Sequence, residues 1–173
     1  MNYRVVLFAI AFAQPVAAEE RRVYLETDDG TRIDVAQVTV TENGQFAVEM
    51  NDASFTDHFL SMRPFKCIEG PDKHWCHVPY PYENRRNISA DLTDLEYDFL
   101  FLWKDSTEYG IDMWNGVYYK LSQDGNGLTG ILHEMDMNTL SAPPDPGDLR
   151  PIAAKHLHES DPDSHWLPRL IID

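Results

Sequence analysis

The stretch VAQVTVTENGQFAVEM, Val35 to Met50, decides the fold. Apolar and polar residues alternate on both sides of Asn43-Gly44, which is the pattern of two strands joined by a tight turn. The length of the loop follows from which residues would then face each other. A two-residue turn sets Thr41 against Phe46 and Thr39 against Val48, mixing polar with apolar. A three-residue loop, Glu42 to Gly44 with Gly44 left-handed, pairs Val40 with Phe46, Val38 with Val48 and Ala36 with Met50. The second register keeps one face apolar and predicts an antiparallel hairpin.

The same rule applied outward predicts more hairpins. At Asp28-Asp29-Gly30 it pairs Leu25 with Ile33, Val23 with Val35 and Glu26 with Arg32. Ile33 and Val35 are odd-numbered while Val38 and Val40 are even, so a bulge is expected near Ala36-Gln37. At Trp114-Asn115-Gly116 the rule pairs Met113 with Val117 and Ile111 with Tyr119. An odd-length loop around Gly125-Asn126-Gly127 then sets Val117, Tyr119 and Leu121 on the face of Ile131, His133, Met135 and Met137. The run EYDFLFLWK, Glu96 to Lys104, reads as a strand with Tyr97, Phe99, Phe101 and Trp103 on one side. Ser54-Phe55-Thr56-Asp57 has the form of a capping box and predicts a short helix to about Met62. Together these signals predict a mostly β domain, an antiparallel meander of about seven or eight strands forming a small barrel or strongly coiled sheet. A short helix, one disulfide-closed loop and a Pro-rich C-terminal tail decorate it.

The two ends read differently from the middle. Residues 1–18 carry Arg4, an apolar core from Val5 to Ala13 and small residues at Val16-Ala17-Ala18, the form of a secretory signal peptide. Nine apolar residues are too few to span a membrane, so the expectation is an exported chain, periplasmic or secreted. The β-rich domain is placed at 19–140. Residues 141–173 follow as a linker with Pro143, Pro144, Pro146 and Pro151, a short helix from Pro151 to about Glu159, and LPRLII docking back as an edge strand that carries Pro168. Cys67 and Cys76, nine positions apart in an exported chain, are expected to form a disulfide. The competing zinc reading, with His74 and His77 added, suits the spacing poorly because structural zinc sites use separated ligand pairs.

The charge excludes several partners. Fourteen basic residues stand against 29 acidic ones, a net −15. Such a surface repels phosphate backbones and anionic lipid, so nucleic acid and membrane are not expected as partners. Cations, basic peptides and uncharged ligands remain as partner classes, with a small-molecule ligand the leading one and any protein partner unidentified.

Catalytic signatures are thin. There is no Gly-x-Ser-x-Gly elbow, no phosphate-binding glycine loop and no His-Glu-x-x-His helix, so an enzyme ranks below a binding module. The leading expectation is a cavity lined by Tyr97, Phe99, Phe101, Trp103, Tyr119 and His133 that takes a small apolar or uncharged ligand, without a cofactor. Core packing is the competing use of the same aromatics. Tyr80 and Tyr82, with Trp75, offer a second aromatic rim that equally suits packing over one end of the sheet. In ILHEMDMN, His133, Met135 and Met137 stand at alternate positions, a ligand set that suits Cu(I); as core filler the same methionines need no metal. His156, His158 and His165 lie among Glu159, Asp161 and Asp163 and read either as a loose metal site or as solvated polar residues.

Overall fold

The structure, a computed structural model, describes residues 18–61 and 63–173. The signal-peptide segment therefore lies outside the described residues except for Ala18, which opens the first strand. Strands β1 (Ala18–Glu26), β2 (Arg32–Thr41) and β3 (Phe46–Met50) form the N-terminal block. A meander follows: β4 (Thr56–Phe59), β5 (Pro64–Glu69), β6 (Lys73–His77), β7 (Phe101–Asp105), β8 (Gly116–Asp124) and β9 (Gly127–Met135). The C-terminal segment adds β10 (His158–Glu159) and β11 (Arg169–Ile172). One helical turn, α1 (Thr93–Glu96), precedes β7.

All eleven strands join one antiparallel sheet with the order β3-β2-β1-β11-β9-β8-β7-β6-β5-β4, and β10 pairs with β9. The sheet is coiled but does not close into a barrel: β3 and β4 are its two ends. One buried cluster nonetheless takes Phe46 from β3 and Ile68 from β5, eight places apart in that order. In a flat sheet those strands would lie roughly 38 Å apart at the usual strand spacing; Asp28 of the β1–β2 turn and Pro71 and Asp72 of the β5–β6 turn line one surface pocket, which requires the sheet to coil. A second cluster, with Leu100, Leu102, Tyr118, Met135 and Met137, covers the outer face of β7 to β9. Connecting segments supply its lid through Tyr80, Tyr82, Ile111, Met113 and Leu157.

The hairpin that opened the sequence reading holds in full. Val40 faces Phe46, Val38 faces Val48 and Ala36 faces Met50, and Gly44 has φ +79, the left-handed region this loop requires. In the hairpin before it, Leu25 faces Ile33 and Glu26 faces Arg32. Val23, however, faces Ala36, because the bulge falls at Val35 and not at Ala36-Gln37.

Other expectations are corrected. The Asp124-Gly127 loop has two central residues, Gly125 and Asn126, so Tyr119 faces Leu132 and Tyr118 faces His133. Gly125, at φ +57, allows the tight II′-type turn. This one-residue difference moves His133 and Met135 to the face opposite Val117, Tyr119 and Leu121. The Trp114-Gly116 turn joins no hairpin of its own flanks, since Val117 pairs with Phe101. The run from Glu96 is helical at its start, with α1 and a 3-10 turn over Tyr97–Phe99, and extends only from Phe101. Tyr97 therefore lies in the second cluster and leaves the row of Phe99, Phe101 and Trp103. Around Ser54 there is a 3-10 turn, Asp52–Ser54, capped by Asn51, and then strand β4 where a helix was expected. The tail has a 3-10 turn at Ala154–His156 in place of a helix. Its last strand is interior, lying between β1 and β9.

Cys67 and Cys76 face each other directly across β5 and β6 and form the disulfide, with Cα atoms 3.9 Å apart. Such a bond belongs to an oxidising environment, and among the described residues no helix is long and apolar enough to cross a membrane. Thiol titration of the unfolded, unreduced protein should find no free thiol, and reduction should cost about 2.5–3 kcal/mol of stability from loop-closure entropy. Unchanged denaturant midpoints after full reduction would contradict this.

Candidate functional site

The register defines two ends of the inner core. At one end stand Glu134 of β9, Trp75 of β6 and Trp103 of β7; at the other stand Arg21 of β1, Leu128 of β9 and Ile172 of β11.

The first end is plugged by the C-terminal segment. His165 is buried, with its ring 5.3 Å from that of Trp75 and 5.5 Å from that of Trp103. Its Nε2 lies 2.7 Å from the Glu134 carboxylate, and its Nδ1 lies 3.4 Å from Lys73 Nζ. Lys73 also donates to the Ser164 carbonyl, 2.8 Å away, and sits 4.2 Å over the Trp103 ring. Both nitrogens of the imidazole are engaged, so His165 is a strut fixing the segment and offers no open face to a reacting group. Beside it, Trp75 Nε1 donates to Tyr119 Oη (3.0 Å), which donates to the Leu167 carbonyl (2.8 Å).

The second end holds a pocket of about 190 Å³. Val38 and Val40 of β2, Leu128 of β9 and Ile172 of β11 wall it, and Ile88, Leu92 and Leu95 from the segment through α1 cover it. Its polar lining is Glu19, Arg21 and Gln123. Strand alternation explains this composition: Arg21 and Glu19 continue the inward row of Val23 and Leu25, opposite Val38 and Val40. The row thus turns from aliphatic to charged where the pocket opens.

A wider cleft of about 480 Å³ lies on another surface, lined by Ser61, Arg63, Phe65, Lys66, His77 and Tyr80 with three prolines. Two of its polar side chains are engaged within the fold. Lys66 pairs with Asp57 at 3.1 Å, and His77 Nε2 donates to the Asp98 carbonyl at 3.0 Å.

The sequence-predicted residues fall in three places. Phe99, Phe101 and Tyr119 are fully buried in the inner core, with Phe101 and Tyr119 edge to face at 6.1 Å, and Trp103 packs against the same cluster. Tyr97 is buried in the outer cluster, where the tilted Tyr80 ring lies 4.7 Å from it and the Tyr82 hydroxyl donates to the Leu140 carbonyl. His133 is half-buried, with Nδ1 3.1 Å from the Ile131 carbonyl. Met135 and Met137 are buried in the outer cluster, both against Gly116. The structure thus brings the two methionines together and gathers Phe99, Phe101, Trp103 and Tyr119 at the inner core, with Tyr97 in the outer cluster and His133 on the opposite face of β9. Among the described residues no group of three or more His, Cys, Asp or Glu side chains is placed to hold a metal.

The aliphatic pocket was missed because its walls come from five separate stretches of chain. One signal was present: Arg21, two residues before Val23, shares the parity of the apolar row. The chain matches no protein family, and no curated protein or solved structure is significantly similar to it.

Burial lowers the pKa of His165, with Lys73 adding to the effect and Glu134 opposing it; burial likewise lowers His74 and His77. A depressed folded-state pKa means the unfolded chain takes up protons first, near the ordinary histidine value of about 6.5. The stability from these neutral histidines is complete above that pH and is lost as the pH falls below it. The melting temperature should drop between pH 7.5 and 5.5, and His165→Gln, which cannot titrate, should flatten the slope. An identical slope in the variant would remove His165 from the account.

Proposed function

We propose that this protein is an exported binding module for a small apolar ligand, and that the aliphatic pocket at the Arg21 end of the inner core is its site. The observation that carries the reading is a concave space of about 190 Å³ walled by seven aliphatic side chains, with Glu19, Arg21 and Gln123 as its polar lining. Ligand sites have this make-up, mostly apolar walls with a few polar groups that fix orientation. A cavity of roughly 150 Å³ is known to take a benzene-sized group, so the volume suits a short hydrocarbon. The large aromatics first expected to line a cavity serve as core, which leaves the binding role to this pocket. Export is supported by the disulfide together with the leader-like N-terminal sequence.

Titration with octan-1-ol, followed by methyl NMR, tests the site. Saturable perturbation should concentrate at Val38, Leu95, Leu128 and Ile172, and Val40→Phe, which fills the pocket, should abolish it. Overpacking of this kind costs about 1–3 kcal/mol of stability, so the variant's melt is compared alongside. Shifts that spread over the surface without saturating would reject the pocket.

A second reading, copper handling, rests on Met135 and Met137 meeting over Gly116 on the face that also carries His133. Under it, Met135→Leu lowers Cu(I) affinity at least tenfold while costing under about 1.5 kcal/mol of stability, because the swap conserves volume. Under the packing account the wild-type protein fails to compete with a Cu(I) chelator, and that is the expected result.

A further inference from the structure

We infer that the ligand of the aliphatic pocket is a carboxylic acid with a short hydrocarbon tail of about six to eight carbons, its carboxylate held by Arg21. This rests on the pocket being the binding site and adds the chemistry of the head group.

The register sets the argument. Arg21 lies on the core-facing side of β1, opposite Val38, and its side chain is only 22% exposed. A cation directed along an apolar row needs a partner, and the one it has within the fold is weak. Its Nε donates to Glu19 Oε1 at 3.0 Å, two residues away on the same strand, and the Glu19 side chain is 64% exposed. An exposed pair of this kind contributes little, and its carboxylate swings into water at small cost. Glu19 holds the place that the ligand's carboxylate takes, as an internal stand-in at the pocket mouth. The guanidinium presents several N–H donors in a planar fork that matches a carboxylate in two parallel hydrogen bonds, whereas the Gln123 amide on the rim is held by the Gly125 and Gly127 carbonyls and leaves the head group to Arg21. The tail then lies among Val38, Leu92, Leu95 and Leu128.

The chain's net charge of −15 opposes an anion only at long range. At physiological salt the field of distant carboxylates decays over about 8 Å, whereas the Arg21 contact is made at hydrogen-bond distance. Approach is slowed by the acidic surface, and the bound state is decided at the mouth. A protein of this charge therefore selects an acid only if the apolar tail and the arginine act together, and neither acetate nor a bare alkane satisfies both.

The test compares octanoate with octan-1-ol, which share the tail and differ in the head, on the full folded protein by calorimetry and methyl NMR. Octanoate should bind one to one at least tenfold more tightly than octan-1-ol. Arg21→Gln should remove that advantage, bringing the octanoate and octan-1-ol affinities of the variant within about twofold of each other, since losing one charge-assisted contact is worth about a factor of ten or more. Butanoate should bind at least tenfold more weakly than octanoate, because each methylene lost removes apolar burial. Equal binding of acid and alcohol, both abolished by Val40→Phe, would overturn the acid specificity and leave the pocket reading standing. No saturable binding of either, in wild type and variant alike, would overturn both. Arg21→Lys supplies the control for folding: it keeps the charge but loses the fork, and should bind octanoate with intermediate affinity.

Discussion

The pairing of β11 with both β1 and β9 is the contact on which the architecture depends. Val23 faces Ile172 on one side, and Ile172 faces Leu128 on the other. Four residues thereby join a three-stranded N-terminal block to the long meander. Without them β1 and β9 would each be an edge, and the inner core would lose Leu170 and Ile172, both buried. Flanking charges fix the strand lengthwise. Arg169 Nε donates to Glu26 at 2.9 Å, and Arg32 reaches both Glu26 and Asp173. Glu26 is largely covered and shared by both arginines, so the group fixes the position of the strand as well as its charge balance.

The same constraint shapes both ends of the inner core. Because β11 runs antiparallel to β1 and β9, the segment just before it must cross the end where Trp75 and Trp103 stand, and His165 and Leu167 fill that end. The opposite end receives no such plug. There β1 extends past the register of β11, so Glu19 and Arg21 pair only with β2. The pocket is the space that this overhang leaves, roofed by the α1 segment. The roof is anchored by buried acids: Asp94 takes Arg150 at 2.7 Å, and Glu96 accepts from Lys120 Nζ, the Tyr118 hydroxyl and the Leu121 amide.

How much of this was legible in the sequence varied with how clearly each strand has two faces. In Val35–Met50, polar residues alternate with apolar ones and a single register satisfies both strands, so every pair was readable. In β8 the run Val117-Tyr118-Tyr119 is apolar at both parities because the sheet is covered on both sides there. The pattern then has no preferred parity, and a loop one residue shorter than assumed reversed the assignment of His133 and Met135. The run Glu96–Trp103 failed for a related reason. Its alternating aromatics satisfied a strand pattern, while the helical turn at Thr93–Phe99 is stabilised by tertiary hydrogen bonds of Glu96 that no local pattern reveals. The disulfide was legible from the short spacing of the two cysteines together with the leader-like N-terminal sequence, while the β5–β6 pairing that sets them face to face was not. The candidate site was not, because its walls become neighbours only after the sheet coils.

The central position of β11 also has a consequence for the order in which the fold is completed. Synthesis runs from the amino end, so the strand that unites the two blocks is the last of the eleven to leave the ribosome. Until then β1–β3 and the meander each carry a bare edge and half of an unfinished interior, and their docking depends on contacts between residues such as Val23 and Ile172 that are far apart in the chain. Long-range closure of this kind is slow. Completion of the whole sheet therefore waits on the placement of four residues, and everything assembled before them lacks the contacts that will hold its two inner edges.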